Sequence, residues 1–210
     1  MPSVFIVNGG GAYAAMFKRM GWTLSAALIE ADLVQFTGGE DVDPALYGEH
    51  PHPSTMYNSM RDEFEKGTYE FCVEHGKKMA GICRGAQFLN VMNGGKLYQD
   101  VGGHAIAGTH HAYSLLRHES VRVTSTHHQM MIPSPDGILE AWATAVGTNK
   151  TRMEGAHRTV VDKGDVVDPE VVFYPESNSL CFQPHPEHYG QVETRDYYFE
   201  LLSHYLELSE

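Results

Sequence analysis

The sequence predicts an α/β fold built on a parallel sheet covered by helices on both faces. Short β-branched and aromatic runs alternate with helical stretches through the first half of the chain, the signature of strands joined by helical crossovers. The second half carries strand-like runs separated by turns, which predicts antiparallel strands added to that sheet. No repeat, low-complexity tract or linker divides the 210 residues, so residues 1–210 read as one domain with room for a full core.

The elements follow in order. Val4–Val7 is the first strand, ending in Asn8-Gly9-Gly10-Gly11, and Tyr13–Met20 is a helix stopped by Gly21. Ser25–Ala31 reads as a short second helix. Leu33–Phe36 is a buried strand ended by Thr37-Gly38-Gly39, and Pro44 and His50–Thr55 read as loop. Arg61–His75 is a long amphipathic helix with Gly76 in the C-cap position. Lys78–Ile82 is a strand that runs straight into a cysteine, and Gly85–Asn93 is the helix after it. Val121–Ser125, Glu140–Ala145, Val171–Phe173 and Leu180–Gln183 are strands, and Thr194–Leu208 is a closing helix.

Composition narrows the function classes. Hydrophobic residues make up 42% and charged residues 20%, ordinary for a globular protein. A net charge of −12 leaves no basic patch for nucleic acid and disfavours an anionic membrane. The start Met1-Pro2-Ser3-Val4-Phe5 has no basic, then apolar, leader pattern, and no apolar run reaches the length of a bilayer span. Cys72, Cys83 and Cys181 are sparse and odd in number, which fits a reducing cytoplasm and a catalytic or inert thiol.

Gly81-Ile82-Cys83-Arg84-Gly85-Ala86-Gln87 carries the most chemistry. A cysteine between an apolar strand and a helix sits on a sharp turn at the tip of a sheet. The free N–H groups of the helix start favour its thiolate. Read blandly, Cys83 is a small buried hydrophobe. The glycines on both sides argue otherwise, because they permit a tight turn like the nucleophile elbow of hydrolases. Cys72, within a helix, and Cys181, within a strand, read as structural.

His185-Pro186-Glu187 supplies a base and a carboxylate. With one residue between them, and Pro184 and Pro186 enforcing extended backbone, the two side chains point the same way. That spacing also suits a plain proline-rich loop; paired with Cys83, it suits a triad. Thr37-Gly38-Gly39 offers N–H groups for half of an oxyanion hole, with the Arg84 N–H as the other half. Asn8–Gly11 lacks the spacing of a phosphate-binding loop. Among 13 histidines, His110-His111, His127-His128 and His185-x-x-His188 are the metal candidates, but none matches a zinc spacing, so no metal is expected. Ser125–Gln129 reads instead as a strand end lining a polar pocket.

These residues resemble the class I glutamine amidotransferase superfamily, and within it the peptidase C26 group of γ-glutamyl hydrolases, including enzymes like γ-glutamyl-γ-aminobutyrate hydrolase. The resemblance rests on Phe36–Pro44 with Tyr47-Gly48, Arg61–Glu65, Gly81–Gln87, Gly94–Asp100, Ser125–Gln129 and Gln183–Glu187, in that order along most of the chain. It implies a three-layer, flavodoxin-like fold, a Cys83–His185–Glu187 triad, and an oxyanion hole from the N–H groups of Gly39 and Arg84. It places Gln87 against a glutamine substrate, and His127, His128 and Gln129 against the α-amino and α-carboxyl end of a γ-glutamyl group. Arg84 is common in the hydrolase group and tilts the resemblance that way.

The implied activity is cleavage of a γ-glutamyl amide through a thioester, with no cofactor. The implied partner is a small γ-glutamyl substrate or glutamine. Two other readings stay open. One is a glutaminase subunit that passes ammonia to a separate synthase or ligase; the other is a non-catalytic binding module. The resemblance leaves the leaving amine unnamed and the oligomeric state open, a homodimer included.

Overall fold

The computed structural model describes residues 1–144, 146–154, 158–162 and 167–208. In chain order the first half forms β1 (Ser3–Val7), α1 (Gly11–Arg19), β2 (Thr23–Leu24), β3 (Leu33–Phe36), α2 (Ser59–Glu74), β4 (Lys78–Ile82) and α3 (Arg84–Met92). The strands β5 (Lys96–Tyr98), β6 (Asp100–Gly102), β7 (Ala105–Ser114), β8 (Glu119–Thr126), β9 (Met130–Ile132) and β10 (Ile138–Ala143) follow. The chain continues with β11 (Thr148–Glu154), β12 (Arg158–Asp162), β13 (Asp168–Tyr174), β14 (Ser179–Phe182) and α4 (Val192–Leu206).

The central sheet has the order β2-β1-β3-β4-β14-β13-β10-β7-β8. Its first five strands run parallel, and these carry the site. The rest extend it antiparallel, as the turn-rich second half predicts. Small sheets β12-β11-β6 and β5-β9 lie apart from it.

The alternation of side chains along each strand sorts the core into two layers. Leu33, Ala80, Ile82, Leu180 and Phe182 join Met16 and Phe17 of α1 and Tyr197, Tyr198 and Leu201 of α4. Val34, Phe36, Met79 and Cys181 join Cys72 of α2 and Ala86, Phe88 and Leu89 of α3 on the opposite face. Helices therefore cover both faces, giving the three-layer α/β architecture that the sequence predicts. Among the described residues no helix is long and apolar enough to cross a membrane.

Two expectations need correction. Ser25–Ala31 is not a helix: Ser25 continues the edge beside β1 through its N–H bond to Val4, and only Leu28–Glu30 forms a 3-10 turn. The Ser25 hydroxyl bonds both the N–H and the carbonyl of Ala27, a local pairing that competes with helical bonds. The strand predicted over Glu140–Ala145 starts earlier, at Ile138, and its predicted end, Ala145, lies outside the described residues. The strands β2, β5, β6, β7, β9, β11 and β12 have no counterpart in the sequence reading.

The inner face of α2 is unusual. Its buried stripe begins with Asp62 and Glu65 before reaching Thr68 and Cys72, while Met60 and Phe64 stand exposed. A helix that buries two carboxylates must find cations inside the protein. Here those cations are Arg61, one turn back on α2, and Arg84 at the start of α3.

Candidate active site

The carboxyl ends of β3, β4 and β14 converge at one edge of the sheet, where open α/β folds hold their ligands. Cys83 follows β4 directly and adopts φ 51°, ψ −110°, a strained backbone for any residue but glycine. Its neighbours explain how the turn fits. A Cβ on Gly81 would come within 2.3 Å of the Gly85 backbone, and one on Gly85 within 2.6 Å of the Phe36 backbone. The two glycines thus let α3 start hard against β3 and β4.

Gln183 to Glu187 extend from β14. His185 Nδ1 lies 2.6 Å from Glu187 Oε1, as the one-residue spacing predicts. The His185 N–H donates to Thr124 Oγ1 at 2.6 Å, which pins the segment to β8. Burial lowers the pKa of the imidazole, but hydrogen bonds to Cys83 and Glu187, with their charges, raise it to about 10. The structure therefore brings together the three residues of the expected triad, although 102 positions separate the cysteine from the histidine in sequence.

The loop after β3 faces the same point. A Cβ on Gly38 would sit 3.2 Å from His185 Cε1 and 3.8 Å from Cys83 Cβ. The Gly38 N–H is taken by the Tyr13 hydroxyl at 2.9 Å, and Gly39, the next residue, lines the pocket beside Cys83. Arg84 opens α3, and its N–H belongs to the first turn, which has no intrahelical acceptor. Gly39 takes φ +145°.

Arg61 fixes this loop. Its Nη2 donates to the carbonyls of Thr37 and Gly38 at 3.0 and 3.1 Å, and its Nε pairs with Glu65 at 2.9 Å. The Arg84 side chain turns away from the pocket and pairs with Asp62 and Glu65 in the interior. Its guanidinium lies 5.0 Å from the Phe88 ring centroid. Two arginines thus answer the two buried carboxylates of α2. Asn8 joins them through its amide bond to Glu65 at 3.1 Å.

A pocket of about 270 Å³ opens beside Cys83, lined by Gly39, Glu40, Asp41, Met56, Arg84, Gln87 and residues Thr126–Gln129. Gln87 Nε2 donates to the Gln129 carbonyl at 3.0 Å and to Gln183 Oε1 at 3.2 Å. His127 is buried, with Nδ1 2.8 Å from the Gln129 carbonyl; burial, reinforced by His104, holds its pKa well below the usual range. His128 is half-exposed; a hydrogen bond from its Nε2 to Asp41 at 3.1 Å raises its pKa. Gln129 Oε1 is buried without a protein partner.

The other expectations sort cleanly. Cys72 and Cys181 are buried, and burial pushes both thiols up, Cys72 to about 12. Adjacent positions on β7 send His110 inward and leave His111 exposed. The His185 and His188 rings stack 4.5 Å apart.

Sequence reasoning missed Tyr13, and it gave no role to Arg61, Asp62 and Glu65. The i, i+4 spacing of Arg61 and Glu65 was the available signal for their ion pair. Tyr13 carries no such signal, because only the fold brings α1 to the triad.

Known proteins share the family and the fold of this chain. The family model described as Peptidase C26 matches residues 4–172. A glutamine amidotransferase-like protein, YvdE of Lactococcus lactis subsp. lactis, is 46% identical over 71 residues, which is 33% of this chain and 30% of that relative. The matched stretch thus spans about a third of the curated relatives' length. Two solved structures share the fold. A protein described as a GMP synthase subunit, from Thermoplasma acidophilum, superposes with TM-score 0.67 at 14% identity, over 99% of this chain and 95% of that one. PurLQS from Thermotoga maritima gives TM-score 0.62 at 18% identity, over 97% and 98%.

Proposed function

The chain belongs to the peptidase C26 family, and from that premise and the site geometry we propose that it is a cysteine-dependent hydrolase of γ-glutamyl amide bonds. One observation carries the reading: Cys83 stands on a strained strand-to-helix turn within hydrogen-bond reach of a His185 ring held by Glu187.

In the proposed reaction the Cys83 thiolate attacks the δ-carbonyl carbon of the substrate and forms a C–S bond. The oxyanion develops against the N–H groups of Gly39 and Arg84; loss of one such donor typically costs about 10²–10³ in rate. The C–N bond then breaks, and the His185 imidazolium gives its proton to the leaving amine or ammonia. Water attacks the γ-glutamyl thioester, with neutral His185 taking its proton. Glutamate leaves, and the thiolate is restored. Gln129 Oε1, buried and unpartnered, offers an acceptor to the substrate α-ammonium, and the Asp41-paired His128 offers a donor to its α-carboxylate. Gln87 lines the same wall.

A second reading makes the chain a glutaminase subunit that delivers ammonia to a separate synthase or ligase. It is favoured by Met56, Met60 and Phe64, which are exposed at the pocket rim and along the start of α2. Turnover of L-glutamine and a panel of γ-glutamyl amides by purified protein, with Cys83→Ala as control, separates the readings. Glutamate release by the protein alone, abolished in the variant, supports the free-standing hydrolase. Silence toward every substrate, with Cys83 still trapped by a glutamine-like electrophile, supports the subunit. Silence with no trapping returns the chain to a binding module.

A further inference from the structure

Next to the pocket wall lies a buried cluster that the proposed reaction does not use. The His127 ring is 4.5 Å from the His104 ring, which in turn is 5.0 Å from His110. His104 and Glu170 are fully buried, and His110 nearly so. His110 Nε2 stands 2.7 Å from Glu170 Oε1, and His104 Nδ1 stands 3.6 Å from the same oxygen. One ligand atom from each of the three residues lies within 4.8 Å of the other two.

The backbone aims Glu170 at this point. Ala141 of β10 pairs with Val171, and Trp142 pairs with Pro169, so Glu170 is the extra residue of a bulge in β13. Bulges re-aim side chains in this way.

Hydrogen bonding then defines what the cluster lacks. Asp168 pairs with Lys150 and accepts the Gly147 N–H at 2.7 Å. Paired with that lysine, it accepts from His104 Nε2 at 3.2 Å, so that nitrogen carries the proton. Ser125 gives its own proton to the His104 carbonyl at 2.7 Å, so toward His104 Nδ1, 3.1 Å away, it presents a lone pair. Nδ1 therefore meets two acceptors, the Ser125 oxygen and the Glu170 carboxylate. A positive centre belongs in that space. A proton on Nδ1 would supply one but would leave Glu170 Oε2 buried and unpartnered, as it stands here. A metal ion would engage the carboxylate and both imidazoles. An imidazole that donates its far N–H to a buried carboxylate is also the usual support for a metal-binding histidine.

We propose that His104 Nδ1, His110 Nε2 and the Glu170 carboxylate form a binding site for one Zn²⁺ ion. Two imidazoles and a carboxylate are a donor set that zinc accepts. The spacing of these ligands, on β7, ahead of it and on β13, matches no short zinc motif, and of the three only His110 stands among the metal candidates of the sequence.

The test uses the Cys83→Ala protein, so that no reactive thiol competes. Zn²⁺ is titrated by calorimetry and Co²⁺ by absorption. One equivalent should bind with micromolar or tighter affinity, and Co²⁺ should show four-coordinate bands without sulfur charge transfer. Adding His110→Ala should weaken binding by roughly 100-fold or more, at least the loss that second-shell changes produce. Adding His188→Ala should leave it unchanged. In case His110→Ala fails to fold, ring-nitrogen NMR of the Cys83→Ala protein gives an independent readout. Zn²⁺ should then shift His104 and His110 and spare His185 and His188. No binding at several-fold molar excess of Zn²⁺ would overturn the site and leave a proton as its occupant. Binding that is lost with His188→Ala, or that shifts His185, would overturn it in favour of the His185–Glu187–His188 group.

Discussion

Glu187 Oε1 lies 2.6 Å from His185 Nδ1, and the same imidazole hydrogen-bonds Cys83. Burial alone would neutralise this ring. The two bonds and their charges outweigh burial and raise its pKa to about 10. A raised folded pKa means that the stabilisation is fully present below the unfolded value, about 6.5, and is lost as pH rises through about 10. The same deprotonation removes the acid that releases the amine. The expected kcat/KM profile therefore falls on an alkaline limb near that value. Glu187→Gln should move the limb to lower pH and reduce kcat by roughly 10³–10⁴, by analogy with loss of the acid in serine triads. An unmoved limb would detach Glu187 from the triad.

Tyr13 ties the triad to the oxyanion loop. Its hydroxyl accepts the Gly38 N–H at 2.9 Å, while burial and the nearby Glu187 charge push the phenol up, so it stays protonated. Tyr13→Phe removes that bond and leaves the Gly38 N–H unpaired. Leaving a buried donor unsatisfied costs about 1–3 kcal/mol. The expected result is a loss of stability in that range in urea unfolding. Its second signature is a drop in kcat of about tenfold with KM little changed, because the bond orients the catalytic groups rather than the substrate.

Arg84 is expected to act on stability through its side chain and on chemistry only through its backbone. The guanidinium is almost fully buried, and burial, with Arg61 nearby, brings its pKa down to about 10. Arg84→Met keeps the backbone N–H but strands Asp62 and leaves Glu65 with Arg61 as its remaining cation. Removing one partner of a buried pair costs about 3–5 kcal/mol. Denaturant midpoints should show that loss at neutral pH. It should shrink as the pH falls, because burial already raises the Asp62 pKa and protonation removes the stranded charge. A neutral substitution would show that the buried ion network is dispensable.

The parallel half of the fold was legible because its strands, such as Leu33–Phe36 and Lys78–Ile82, are short, mostly apolar runs closed by glycine turns. The parts of the proposed triad were legible where they are local, in the elbow glycines that flank Cys83 and in Glu187 one residue removed from His185, but only the fold closes the 102 positions between Cys83 and His185. The antiparallel half was harder. β7 contains Gly108, Thr109, His110 and His111, and β13 opens on the buried Asp168-Pro169-Glu170, so polar residues break the apolar pattern of a strand. Tyr13, Arg61 and Glu170 act across tens of residues, and pairing of that kind leaves no trace in spacing.

Two glycine-to-alanine changes should have opposite signs. At Gly85 an added Cβ would lie 2.6 Å from the Phe36 carbonyl carbon and oxygen, and backbone has nowhere to swing. α3 would have to lift from β3, carrying Cys83 and the Arg84 N–H with it. The expected cost is ~3 kcal/mol, the upper end of the range for overpacking, with kcat falling alongside stability. Gly67 lies exposed in the middle of α2, where an added Cβ meets nothing within 4 Å. There alanine should stabilise by roughly 0.5–1 kcal/mol, since glycine loses more backbone freedom in a helix. Thermal midpoints of the two variants, measured side by side with turnover, check both signs. If Gly85→Ala melted and turned over like the parent, the tight start of α3 would not be what holds the nucleophile in place.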